Sequence, residues 1–239
     1  MFGLAAAGFG LSYLVWRDFA TVWQPVPADA PLHSGLVYVA AVAMLVGGAA
    51  MFLKRPSALA GFVLALVYGA FALLQAQQVI GSPGTEATWG GLAEEVALMI
   101  GALLVCDAAS PNAVRAIALR LLFGLCAIVF GLTHFANLAA TAGFVPGWFP
   151  GDGMFWAYAT GFAHAAAGLA LIVGYRPRLA ARGLTAMFIG FGLFVWLPKL
   201  VAAPTDHVAW TGNIVNLALI GAAWLLADAL SDARPAAEN

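Results

Sequence analysis

The sequence predicts an all-α, polytopic membrane protein: eight transmembrane helices arranged as two tandem four-helix bundles of the same orientation. Three observations carry the prediction: composition, the spacing of the apolar runs, and an internal repeat. Of 239 residues, 63% are hydrophobic and 9% charged, against roughly 25% charged in a soluble domain. Mean hydropathy is +0.93. So few charges cannot cover a soluble protein of this size, so the partner is the lipid bilayer. A net charge of −1 gives no footing for nucleic acid. Cys106 and Cys126 stand apart with no CxxC, so they read as packing residues. The first sixteen residues lack a basic n-region and a small-residue cleavage site, and read as a retained helix, not a signal peptide.

Taken in order, the apolar runs give eight spans. The first is Phe2–Trp16, extendable to Val22. The next three are Ser34–Leu53, Ala58–Val79 and Trp89–Val105. The fifth is Ala116–Ala136, extendable to Ala140. The last three are Met154–Val173, Ala180–Val201 and Trp210–Leu226. Most approach the ~20 residues that cross ~30 Å of hydrocarbon. Spans two and three are joined only by the turn LKRPS, and spans six and seven by GYRPRL.

Those two basic turns expose the repeat. At a constant offset of 121 residues, Phe9-Gly10-Leu11 falls on Phe130-Gly131-Leu132 and Pro25 on Pro146. Gly47 falls on Gly168, Arg55-Pro56 on Arg176-Pro177 and Pro83 on Pro204. Trp89 falls on Trp210, and Asp107 on Asp228. The chain therefore divides into a first, degenerate repeat at 1–110, a second at 111–231, and a cytoplasmic tail at 232–239. An even number of helices per repeat gives both the same orientation. Lys54, Arg55, Arg115, Arg120, Arg176, Arg178, Arg182 and Arg234 mark one side, while only Arg17 and Lys199 mark the other. By the positive-inside rule both termini are cytoplasmic, the membrane is the cytoplasmic (inner) one, and the Pro/Trp-rich loops face out. Three glycine pairs seven residues apart are candidate close-packing faces: Gly124/Gly131, Gly161/Gly168 and Gly183/Gly190.

Polar groups inside a span are expensive, so each is a candidate site. Gln75 and Gln78 end the third span, and Glu94 and Glu95 lie in the second turn of the fourth. His134 and Asn137 close the fifth, and His164 lies ten residues into the sixth. Lys199 closes the seventh, and Asn213 and Asn216 open the eighth. All fall in the outer half of the membrane, which points to an outward cavity. Each also has a plainer reading. Lys199 can snorkel, the amides can bond between helices, and Trp23, Trp89, Trp148, Trp156 and Trp210 can form an interfacial belt. His33 and His207 read as solvated loop residues. Glu94 and Glu95 sit ~100° apart on a helix, so one faces the bundle and is a candidate proton acceptor. Haem ligation by His134 and His164 is disfavoured, because their depths differ by roughly 6–12 Å at 1.5 Å per residue. A metal held by the two histidines and a carboxylate has only weak support in the spacing.

The second half resembles the DoxX-like family of four-helix membrane proteins. The resemblance is carried by FGLTHF at 130–135, FVPGWFP at 144–150, WAYATGFAHAAAGLAL at 156–171 and the basic turn YRPRLAAR at 175–182. The first half departs from it, with Tyr13, Ala43 and Gly35 standing 121 residues before His134, His164 and Trp156. The resemblance implies association with quinone-linked redox enzymes. The leading expectation is a redox-associated protein holding a quinone-like or other lipophilic ligand in an outward cavity of the second half. There His164 and His134 would exchange a proton with the ligand. Asn137, Trp156, Tyr158, Lys199, Asn213 and Asn216 would line the cavity, and Glu94 or Glu95 would relay the proton. A carrier of a small or lipidic solute is the second expectation. A non-catalytic subunit docking a redox partner on the outer face is the third. No motif for a nucleotide, flavin or iron–sulfur cofactor is present, and homo-oligomerisation is left open.

Overall fold

The structure, a computed structural model, describes residues 1–20, 22–53, 58–109 and 111–232. Lys54, Arg55, Pro56 and Ser57 of the first basic turn lie outside the described residues, as do residues 233–239 of the tail, Arg234 included.

Among the described residues the regular structure is helical. The helices are α1 (Phe2–Trp16), α2 (His33–Ala50), α3 (Ala58–Gly81), α4 (Glu86–Ala109), α5 (Ala113–Ala136), α6 (Leu138–Gly143) and α7 (Gly153–Val173). After them come α8 (Pro177–Phe191), a π-helical turn (Gly192–Trp196), α9 (Leu197–Ala202) and α10 (His207–Asp232). Seven spans are long and apolar enough to cross a membrane, with α8, the π-turn and α9 forming one of them. The shorter α1 has 15 residues. The chain is an all-α integral membrane protein.

Several helices start earlier than their apolar runs, because polar residues cap them. The Asn112 side chain accepts from the Arg115 amide at 2.9 Å, and Asp206 accepts from the Ala209 amide at 2.6 Å. Such caps satisfy amides that have no partner within the helix. A second device recurs at three helix starts. The indoles of Trp89, Trp156 and Trp210 donate to the carbonyls of Pro83, Pro150 and Pro204, each six residues upstream, at 3.0, 2.7 and 2.8 Å.

Within each half the packing follows the same order. α1 pairs with α2 as α5 pairs with α7, and α3 with α4 as α8 with α10. The halves also interlock: α1 lies on α10, α5 lies on α4, and α4 touches α10. His207 supports that seam. Its ring stacks on Trp16 at 4.5 Å, and its Nε2 lies 3.1 Å from the Ser12 hydroxyl. It is therefore not a solvated loop residue. Nor is His33, whose Nε2 lies 3.4 Å from Asp18 while its ring meets Phe19 edge-on.

Two of the three glycine pairs mark real contacts. A methyl at Gly131 would sit 2.7 Å from the Gly161 carbonyl oxygen, and one at Gly168 would sit 2.6 Å from that of Gly124. α5 and α7 thus meet backbone to backbone. Gly183 and Gly190 face open space, so the third pair marks no helix contact.

The π-turn sits in the only span with an interior proline, Pro198. Proline donates no N–H, and its ring crowds the carbonyl four residues back. The backbone widens just upstream. Asn213 donates to the Trp196 carbonyl at 2.8 Å, and Asn216 to the Phe188 carbonyl at 3.0 Å. At membrane depth such irregular backbone persists only when its polar groups are satisfied.

Candidate functional site

A cavity of about 1060 Å³ lies between α4, α5, α7, the π-turn region and α10. It is at the large end of the range for small-molecule sites. Its wall is mostly apolar and rich in aromatic rings: Phe130, Phe188, Phe191 and Phe194 with Trp23, Trp156 and Trp196. The loop after α6 covers part of it, with Phe149 packed on Phe194 at 4.9 Å and on Trp156 at 5.2 Å.

His134 and His164 meet at its inner end, with ring centroids 4.9 Å apart. The depth argument placed them at different levels, and the reason they meet is directional. Side chains on a helix lean toward its N-terminus. α5 and α7 run antiparallel, so the two rings lean toward each other. They stand side by side, not on opposite faces of a macrocycle. Each is fixed by its own helix: His134 Nδ1 lies 2.7 Å from the Phe130 carbonyl, and His164 Nδ1 lies 3.0 Å from that of Thr160. Phe130 and Phe188 flank His164, each at 5.7 Å. His164 is 1% exposed, and its Nε2 has no partner.

The other expected site residues divide. Glu94, Asn137, Trp156, Lys199 and Asn216 line the cavity. Glu94 lies against Trp23, which belongs to the wall rather than to an interfacial belt. Lys199 holds its ammonium 3.6 Å above Phe144 and 5.0 Å from the Trp196 ring. Asn137 donates to Glu86 at 3.0 Å. Asn216 is committed to the Phe188 carbonyl. Three residues lie elsewhere. Tyr158 is exposed and packs on Phe135. Asn213 spends its amide on the carbonyls of Trp196 and Ala209. Glu95 points into the first half near Tyr13 and Tyr68, fully buried, with neither oxygen partnered.

The aromatic collar was not legible in the sequence. Sixteen phenylalanines in so apolar a chain carry no contrast. Trp156 is the one member the sequence places at the site; Trp23 reads there only as an interfacial residue. Among the described residues no three His, Cys, Asp or Glu side chains converge on a point that could hold a metal.

Fold and cavity together define a polytopic helical membrane protein with an aromatic-lined internal chamber. Residues 116–197, within the second half, match the DoxX family model. The matched stretch contains both histidines and most of the collar, and ends just short of Lys199. No curated protein and no solved structure matches the chain.

Proposed function

We propose that this protein binds a quinone-like or similarly lipophilic molecule in the chamber, which the second half builds together with α4 and Trp23 of the first half rather than alone, as a redox-associated membrane component. One observation carries the reading: His164 Nε2, buried and without a partner, stands beside His134 at the closed end of a large aromatic-walled cavity. A buried polar atom with nothing to bond is costly, and intramembrane polar groups tend to mark pathways or sites. An apolar wall with few polar groups at one end suits an amphiphile with a ring head. Glu94 lines the chamber, as do Glu86 and Asp206, while Glu95 does not, so of the adjacent pair the relay role belongs to Glu94.

On the same reading the chain is a duplicated four-helix unit whose first copy has lost the site. The basic turns face the cytoplasm of an inner membrane, and the chamber opens on the outer side, where a redox partner would dock. The carrier reading is less well supported. Alternating access commonly uses broken helices in matching places of both halves. Here Pro198 and the π-turn break one span, while α3 runs unbroken from Ala58 to Gly81.

The test is mass spectrometry of lipids extracted from detergent-purified protein, wild type beside His164→Ala. A defined lipophile that copurifies near one per chain and is lost in the variant supports the proposal. Bulk phospholipid alone in both samples refutes it.

A further inference from the structure

We infer that the inner end of the chamber selects a ligand that donates a hydrogen bond: a ring hydroxyl, as in a phenol or hydroquinone, in preference to the corresponding carbonyl form. The inference rests on the chamber being a lipophilic-ligand site, and it adds the head-group chemistry.

Nδ1 of His134 and Nδ1 of His164 each point at a backbone carbonyl of their own helix, at 2.7 and 3.0 Å. A carbonyl oxygen only accepts, so each Nδ1 carries the hydrogen. In a neutral imidazole the other nitrogen, Nε2, is then a bare acceptor. Two imidazoliums with centroids 4.9 Å apart in an apolar wall would repel each other strongly. A charge on His164, 1% exposed and with Nε2 unpartnered, would be buried and unpaired, so His164 is the neutral ring and presents its lone pair to the chamber.

The nearby donors are already committed. The Thr133 hydroxyl donates to the Phe130 carbonyl at 2.9 Å, and the Thr160 hydroxyl to that of Trp156 at 2.7 Å. The Asn216 amide donates to the Phe188 carbonyl, and the Trp156 indole to that of Pro150. A ligand carbonyl at this end would meet lone pairs and spent donors. A hydroxyl there would satisfy His164 Nε2, the buried nitrogen at this end of the chamber that has no partner. Two lone pairs also suit a metal ion. Among the described residues, however, no third His, Cys, Asp or Glu joins them, so the hydroxyl is the better match.

The experiment uses three probes of one shape: a short-chain hydroquinone, its benzoquinone, and the hydroquinone's dimethyl ether. Each is titrated anaerobically into the full-length protein in detergent by calorimetry. The hydroquinone is expected to bind at least about tenfold more tightly than the other two, the scale of one buried hydrogen bond made or left unmade. In His164→Phe its affinity is expected to fall to the level of the quinone. Should that variant not fold, His164→Gln offers both a donor and an acceptor and should bring the hydroquinone and quinone together. Equal or tighter binding of the quinone by the wild type overturns this inference and leaves the chamber reading standing. A hydroquinone preference that survives in either variant also overturns it. So does Zn²⁺ that displaces the hydroquinone from wild type and fails to bind His164→Phe. Failure of all three probes to bind removes the chamber reading, and this inference with it.

Discussion

The two halves of the molecule fill their interiors in opposite ways. In the first, Tyr13, Phe19 and Phe71 pack edge to face, with Tyr13 and Phe71 respectively 5.3 and 5.6 Å from Phe19. Phe9 and Tyr68 extend the same cluster at 6.3 Å. In the second, the residues 121 positions later are His134, Ala140 and Gly192. Ala140 lines the chamber, and Gly192 lets Asn216 approach to where a side chain would stand. Aromatic plugs on one side correspond to a histidine and two small residues on the other. In a bundle so uniformly apolar, a site arises from the side chains that are missing as much as from those that are present.

The sharpest way to break this comparison is to exchange the plugs. Phe19→Ala opens a void in a filled core and should cost about 3–5 kcal/mol, read as a lower unfolding midpoint in detergent. Ala140→Phe should leave the midpoint nearly unchanged while abolishing copurification of a ligand. If both variants are equally destabilised, the chamber is not an accommodating space and the contrast fails.

The next effect separates real from nominal glycine contacts. Gly168→Leu drives a side chain into the α5 backbone and should cost about 1–3 kcal/mol or more. Gly183→Leu faces open space and should stay within about 0.5 kcal/mol of wild type. Thermal unfolding of the pair, side by side, reads the difference.

A third pair tests opposite signs at corresponding positions. Asn216→Leu removes one of the two donors to the Phe188 carbonyl, which keeps the Gly192 amide, and should destabilise by about 0.5–1.5 kcal/mol. Glu95→Leu removes two unpartnered buried oxygens and should be neutral or stabilising, since an apolar replacement for such a group leaves nothing unpaired. A loss of stability in Glu95→Leu would mean that this carboxylate has a bound partner in the membrane. The smallest effect is at the helix-start clamps. Trp210→Phe should lose about 0.5–1.5 kcal/mol with the Pro204 bond, while exposed Trp148→Phe should change little.

The sequence made the helical membrane architecture legible because apolar runs of membrane length have few alternatives. It made part of the site legible too. His134, His164, Glu94 and Lys199 stand out because a polar group in a span is rare enough to be noticed one residue at a time. The remainder depended on direction. Depth along a helix did not show that the two histidine rings lean toward each other. Nor did it show that Asn213 and Asn216 attend to irregular backbone upstream of Pro198, or which of the adjacent glutamates faces the chamber. Tyr158 was grouped with the site by proximity in sequence, yet it sits on the outer face of α7. The aromatic collar could not be picked out from a background of similar residues.

The central claim is that the chamber between the second half and α4 holds a lipophile against His164. It is tested most directly by an electron cryomicroscopy map of the protein reconstituted in nanodiscs from its native membrane lipids. The account expects elongated non-protein density inside the aromatic collar, with its polar end within hydrogen-bonding distance of His164 Nε2. A chamber closed by repacked side chains, or filled only by the acyl tail of a lipid whose head lies outside it, would contradict the claim.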